Sequence, residues 1–139
     1  MKYLLDNDVF LAAISKGHDN HKTARRWLDA VKPDGWGVAA ETYLAAVRLL
    51  MNPTAMQFGH LTAAQALQAV DMELAGPQHP GQVILSRTRP DQTLLKQAKG
   101  HRQVMDFWLI QIARENGCLL ATNDAGLVAA WPKLAMRIG

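Results

Sequence analysis

The chain begins Met1-Lys2-Tyr3-Leu4-Leu5-Asp6-Asn7-Asp8-Val9-Phe10. An apolar run, Tyr3-Leu4-Leu5, leads straight into two acids. A secretory signal would carry a longer acid-free apolar stretch and then a small-residue cleavage site. A membrane-spanning helix needs a longer uninterrupted apolar run than any in this chain. The simplest reading is a short buried strand whose C-terminal end presents carboxylates. In open α/β sheets that edge is where ligands bind.

Working outward, strands and helices alternate. A short helix is predicted over residues 8–15, ending near Gly17. In His21-Lys22-Thr23-Ala24-Arg25-Arg26-Trp27-Leu28-Asp29-Ala30-Val31, apolar Ala24, Trp27, Leu28 and Val31 follow helical spacing and polar residues fill the other face. Lys32-Pro33-Asp34-Gly35 breaks that helix. Trp36 to Ala39 reads as a second strand, and a helix from about Glu41 to Met51 stops at Asn52-Pro53. Thr62-Ala63-Ala64-Gln65 matches a capping box, opening a helix closed by Gly76-Pro77. Gln82 to Ser86 is a third strand. Asp91 caps a short helix to about Ala98, and a longer helix runs from about Gln103 to Asn116, with Gly117 as its C-cap. Cys118 to Ala121 is a fourth strand, Thr122-Asn123-Asp124 a loop into a short helix, and Leu134 to Ile138 a last strand.

This alternation of short apolar strands with helices implies an α/β fold with a mainly parallel sheet covered on both faces. Residues 1–139 show no linker, repeat or low-complexity segment, so one domain is expected. The composition is 49% hydrophobic and 19% charged, which excludes a disordered tail. A net charge of +3 and a pI near 9.2 hint only mildly at a polyanionic partner. The single cysteine, Cys118, can form no internal disulfide, and no Cys/His spacing suggests zinc. A small core residue in a reducing cytoplasm fits it.

Three acids stand where a carboxylate is expensive to place. Asp6 closes the first strand, and Asp124 follows the fourth. Asp106 lies in Gln103-Val104-Met105-Asp106-Phe107-Trp108-Leu109, a helix apolar on nearly every side and therefore expected to be buried. In a parallel sheet both strand ends open on one edge, and a helix N-terminus reached by a loop from that edge sits there too. Two like charges about 5 Å apart at an effective dielectric of about 20 repel by about 3 kcal/mol. No lysine adjoins these acids in sequence, so a divalent cation is the natural compensation. All-oxygen ligands suit Mg²⁺ or Mn²⁺, and such a site can polarise a phosphodiester. Each acid also has a structural explanation, because Asp6 and Asp124 can cap the helices that follow them. The joint pattern, more than any one acid, points to metal.

The segments LLDNDVFLAAI, HKTARRWL, VRLLMNP and GHRQVMDFWLIQIARENGCLLATNDAGL, in this order and spacing, resemble the PIN-domain family. More narrowly they are similar to the VapC-type ribonuclease toxins of type II toxin–antitoxin pairs. The resemblance covers nearly the whole chain and is most specific in HRQVMDFWL…GCLLATND. It implies a three-layer α/β/α sandwich and Mg²⁺- or Mn²⁺-dependent endonucleolytic cleavage of RNA, often structured RNA such as tRNA. It implies a small antitoxin partner whose tail blocks the acidic groove, and a homodimer; the apolar helices 41–51 and 62–75 suit such an interface and suit core packing equally well. No membrane partner is implied. Carried over by position, Asp6, Asp106 and Asp124 are the metal-binding acids, and Thr122 is a hydroxyl beside the last of them.

Two positions depart from the family pattern. Asp8 replaces a common asparagine and is expected to support the site or cap the first helix. Where the family often has an acid five residues before the motif arginine, here Arg48, this chain has Tyr43. Glu41 lies two residues earlier, about 200° around a regular helix. It can serve as the fourth catalytic acid only from a helix start where the preceding strand delivers it to the sheet edge. Its alternative role is to favour the helix dipole. Arg48 is expected to be a buried structural arginine.

Arg87, Arg89, Lys96, Lys99, His101 and Arg102 lead into the Asp106 helix, and Lys99 and Arg102 are the candidates to hold RNA phosphates. His18 and His21 match a loop and helix start where packing or capping is expected, and Trp27 and Trp108 fall on apolar faces. Two other functions fit parts of the pattern. The opening LDNDV also suits a haloacid-dehalogenase-like phosphatase with Asp6 as nucleophile and Asp8 as acid/base, but that leaves Asp106 without a role. A PIN-like binding module with impaired activity would explain the missing acid at Tyr43.

Overall fold

A computed structural model describes residues 1–57 and 59–139. Five short strands form one sheet: β1 (Tyr3–Leu5), β2 (Trp36–Ala39), β3 (Gln82–Ile84), β4 (Leu119–Thr122) and β5 (Ala135–Arg137). Their order is β3-β2-β1-β4-β5, and every neighbouring pair is parallel. Seven α-helices occur among the described residues: α1 (Asn7–Ile14), α2 (His21–Val31), α3 (Ala40–Leu50), α4 (Ala63–Leu74), α5 (Gln92–Leu95), α6 (Arg102–Glu115) and α7 (Ala125–Ala130). The result is the three-layer α/β/α sandwich expected from the alternation of elements.

Alternate strand residues feed two cores, as the two-residue strand period requires. Tyr3, Leu5, Trp36, Val38 and Ala121 pack with α1 to α4 on one face. Leu4, Leu120 and Ala135 pack with α5, α6 and α7 on the other. The chain moves outward from β1 through β2 to β3, then returns to place β4 and β5 on the opposite side. The direction of winding therefore reverses between β1 and β4. At such a switch point the following loops part and leave a crevice at the carboxyl ends of the strands. Asp6 and Asp124 flank that crevice.

Local signals hold at several ends. Thr62 and Gln65 form the reciprocal capping box at α4. Gly117, with φ +63°, follows α6 in the left-handed region that glycine adopts without strain. In β2, a Cβ on Gly37 would lie 2.6 Å from the Gln82 carbonyl oxygen, so glycine is what lets β3 approach. The third strand stops at Ile84 and not at Ser86, because its partner β2 ends at Ala39, opposite Ile84. The helix after Asp91 is a single turn ending at Leu95. The fourth strand begins one residue late, at Leu119, and Cys118 is buried beside the Ala113 carbonyl.

Arg25 ties three helices together. Its guanidinium donates to both oxygens of Glu73 on α4, at 2.7 and 2.8 Å, to the Ala13 carbonyl at the end of α1, and to Asp29 on its own helix. Burial alone would raise the Glu73 pKa, but the bonds from Arg25 and Lys32 outweigh it and hold the carboxyl below its usual range. Arg48, expected to be buried, is exposed. The inner stripe of α3 is instead Thr42, Ala46 and Leu50, and Arg48 falls outside it.

Candidate functional site

Asp6 is only 8% exposed. It ends β1 and is also the N-cap of α1, accepting the Asn7 N–H at 2.7 Å. Its other oxygen accepts the Thr122 hydroxyl at 2.7 Å, and Thr122 in turn accepts the Asp124 N–H at 3.0 Å. This chain of bonds locks the ends of β1 and β4 across the crevice. Burial raises the Asp6 pKa, the Thr122 and Asn7 bonds lower it, and the charges of Asp8 and Asp124 push it up again. The net direction is upward. Thr122 therefore serves Asp6 as a donor, a role hidden in the sequence because the two residues are 116 positions apart.

Asp124 caps α7 through the Leu127 N–H at 3.1 Å. The capping and site readings of Asp6 and Asp124 are thus compatible. A cap occupies part of a carboxylate and leaves other lone pairs as acceptors.

Asp106 is half-buried, contrary to the expectation of full burial. The first turns of α6 project beyond the core, leaving Val104 50% and Met105 42% exposed. No donor among the described residues bonds the Asp106 carboxylate. Burial first, then the charges of Asp6 and Asp124, push its pKa up to about 6. The three acids are therefore close enough to repel.

Glu41 lies in the first turn of α3, directly after β2. Its neighbour Thr42 donates to the side-chain oxygen of Asn7, the residue after Asp6, at 2.5 Å. The start of α3 is thereby tied to the start of α1. Glu41 Oε2 is buried with no hydrogen-bond partner among the described residues. An unpaired buried carboxylate oxygen is costly and in native proteins marks a strained or ligand-binding position. Tyr43 points elsewhere, its hydroxyl donating to Asp71 on α4 at 2.7 Å.

Asp8 does not cap α1. Its carboxylate takes His18 Nε2 at 3.0 Å on one oxygen and Asn123 Nδ2 at 3.3 Å on the other. His18 Nδ1 accepts the Asn20 N–H, so Nε2 carries the hydrogen. His21 bonds the Ala12 carbonyl, a packing role. Sequence reading missed the Asn7–Thr42 and Asp8–Asn123 links, because nothing local marks a polar side chain whose partner is distant. Lys99 and Arg102 are exposed at the start of α6, where Gln103 accepts the Lys99 N–H at 2.7 Å.

Among the described residues, no three His, Cys, Asp or Glu side chains converge tightly enough to form a ready cation site. The expected close gathering of Asp6, Asp106 and Asp124 is thus looser than three-point ligation. The donor set still suits Mg²⁺ or Mn²⁺: every donor is a carboxylate oxygen, Glu41 leaves one without a partner, and Mg²⁺ commonly takes only one or two carboxylates and keeps several waters.

Repulsion of this kind has a measurable consequence. Asp106→Asn should raise the melting temperature in EDTA by about 3 °C, or about 1 kcal/mol once solvent screening is allowed for. Mn²⁺ should stabilise the wild type more than the variant. Thermal melts with and without Mn²⁺ read both effects, and a fall in the EDTA melting temperature would remove the premise that Asp106 is under electrostatic stress.

A family model described as PIN domain matches residues 3–130. Ribonuclease VapC38 of Mycobacterium tuberculosis (strain ATCC 25618 / H37Rv) is 29% identical, over 89% of this chain and 86% of the relative. Ribonuclease VapC29 of Mycobacterium tuberculosis (strain CDC 1551 / Oshkosh) is also 29% identical, over 99% of this chain and 97% of the relative. The parallel sheet wound in both directions from β1, the acids at its switch point and the matched span of sequence agree, and the chain belongs to the PIN domain family.

Proposed function

We propose that this protein is a metal-dependent endoribonuclease acting in the cytoplasm as the toxin of a toxin–antitoxin pair. The observation that carries the reading is the set of mutually repelling carboxylates, Asp6, Asp106 and Asp124, at the switch point, with the unpartnered Glu41 oxygen delivered by the next strand. The full-length likeness to relatives named ribonucleases supports RNA as the substrate. The partners are RNA, a small antitoxin and a second copy of the chain.

Asp6 and Asp106 would hold the ion, with Asp124 and Glu41 as the supporting carboxylates. When bound, Mg²⁺ or Mn²⁺ supplies an acidified water and neutralises charge on the phosphate. Thr122 fixes the Asp6 carboxylate by hydrogen bonding, so its orientation is set before substrate arrives. Glu41 follows β2, on the other side of β1 from β4, and from there would accept a proton or orient water. Asp8 is engaged on both oxygens by His18 and Asn123, and its charge adds to the repulsion on Asp6. That placement disfavours the phosphatase reading, in which Asp8 must be a free acid/base.

The direct test is incubation of purified protein with total RNA in Mn²⁺ or Mg²⁺, followed by sequencing of the new ends. Cleavage should stop in EDTA and in Asp106→Asn. Wild-type protein that leaves RNA intact in both metals would refute the proposal. Glu41→Gln keeps the size and removes the charge. It should lower the cleavage rate by about 100-fold, within the range for a lost proton-transfer group. A rate within twofold of wild type would assign Glu41 to the helix dipole alone.

A further inference from the structure

The excess positive charge of this protein is concentrated in one segment. Residues 87–102 contain five basic side chains, Arg87, Arg89, Lys96, Lys99 and Arg102, and one acid, Asp91. The chain has 15 basic and 12 acidic residues, so the remainder carries 10 against 11 and is slightly negative. All five cations are exposed. None forms a salt bridge among the described residues, whereas Asp91 is matched by Arg114 at 3.2 Å.

The segment is anchored to the candidate site at both ends. It follows β3, whose carboxyl end lies on the same edge as those of β1 and β4. It ends in α6, where Arg102 and Asp106 are four residues apart on one face. Its middle is pinned by Gln111, which is 2% exposed in an otherwise apolar helix face. The Gln111 side chain accepts the Asp91 N–H at 2.8 Å and donates to the Arg89 carbonyl at 2.9 Å. Thr88 is bonded to Glu115 as well. A buried amide occupied at both ends by one loop fixes where that loop runs. From Asp106 to Glu115, α6 rises about 14 Å.

We propose that residues 87–102 form a backbone-binding arm that grips single-stranded RNA on one side of the cleaved bond. This rests on the reading of the crevice as a nuclease site. The acids there repel a polyanion, so attraction must come from elsewhere on the surface. The guanidinium forks of Arg87, Arg89 and Arg102 match phosphate geometry. An acidic protein segment is the other polyanion that this charge could attract. RNA is favoured because the arm leads to the helix of Asp106, where a second set of carboxylates would be repelled but a phosphate is the group to be cut.

The test uses the full chain carrying Asp6→Asn, so that RNA stays intact during binding. The probe is a labelled 20-nucleotide single strand of mixed sequence, read by fluorescence anisotropy. In this background Arg87→Gln, Arg89→Gln and Lys96→Gln together remove three arm charges. Lys2→Gln, Lys22→Gln and Lys133→Gln together remove three exposed charges elsewhere. The arm triple should weaken binding at least tenfold and reduce the slope of log affinity against log salt by about 2, as three lost single-strand phosphate contacts require. The control triple should change affinity less than threefold. Equal weakening by both triples, no weakening by the arm triple, or a loss confined to a labelled polyglutamate peptide would overturn the arm. Loss of RNA binding in the arm triple with no cleavage by wild-type protein would keep the arm and remove the nuclease. Cleavage by wild type with equal binding by both triples would do the reverse.

Discussion

Asp6→Asn should lower RNA cleavage by about 1,000-fold while leaving the fold intact. The scale follows from removing a charged ligand and the charge stabilisation that depends on it. Asparagine is close to isosteric and is itself a good N-cap, so its side-chain oxygen can still accept the Asn7 N–H. Thr122 must then accept from the new amide where it had donated to Asp6, and its second lone pair allows this beside the Asp124 N–H. The variant therefore separates chemistry from architecture. Time courses on labelled RNA in Mn²⁺, with circular dichroism to check the fold, measure it. Retention of more than half the wild-type rate in a folded variant would end the assignment of Asp6 as a metal ligand.

Trp36→Ala should destabilise the protein by about 4 kcal/mol, a large share of the roughly 5–15 kcal/mol of a typical domain. Trp36 is 1% exposed and opens β2. Its ring packs against Phe10, with centroids 6.4 Å apart, and lies beneath the Lys32 ammonium. Gly81 is in such close contact that a Cβ there would sit 2.7 Å from the ring. Its indole N–H donates to the His79 carbonyl at 3.0 Å. Truncation empties the space where α1, β2 and the turn before β3 meet, and little of that framework can collapse into it. Urea denaturation should show the loss, with the melting temperature falling by about 12 °C. Trp36→Phe, which keeps most of the ring and loses the N–H, should cost about half as much. A Trp36→Ala loss under 1 kcal/mol would mean that the β2 end is not cooperative with the rest. The same strand delivers Glu41, so that result would also weaken the case that Glu41 is rigidly placed.

The limits of sequence reading appear at particular residues. Val104 and Met105 made α6 look buried, yet both are exposed, since hydrophobic composition cannot tell a helix in the core from one whose first turns overhang an edge. The motif alone reads Arg48 as buried, but side-chain direction on α3 is set by where Thr42, Ala46 and Leu50 pack inward. Glu41 was ambiguous because two residues of helix reverse a side chain. It lies in the first turn of α3, directly after β2, and its neighbour Thr42 is tied to Asn7.

What the sequence determined by itself was local: the apolar runs that become strands, the Thr62–Gln65 box, the turn at Gly117, and the placement of acids just after strands. Those features rest on short-range sterics and on periodicity, which are written in consecutive residues. The tertiary structure decided the rest. It reversed the winding at β1, so that Asp6 and Asp124 share a crevice. It supplied Thr122 as donor to an acid at the far end of the chain. It left Asp106 half-exposed with a carboxyl that no described residue bonds, and it folded the basic segment onto α6 through one buried glutamine. Each is a contact between residues remote in sequence, and only the packing of the two cores around the sheet determines which of them meet.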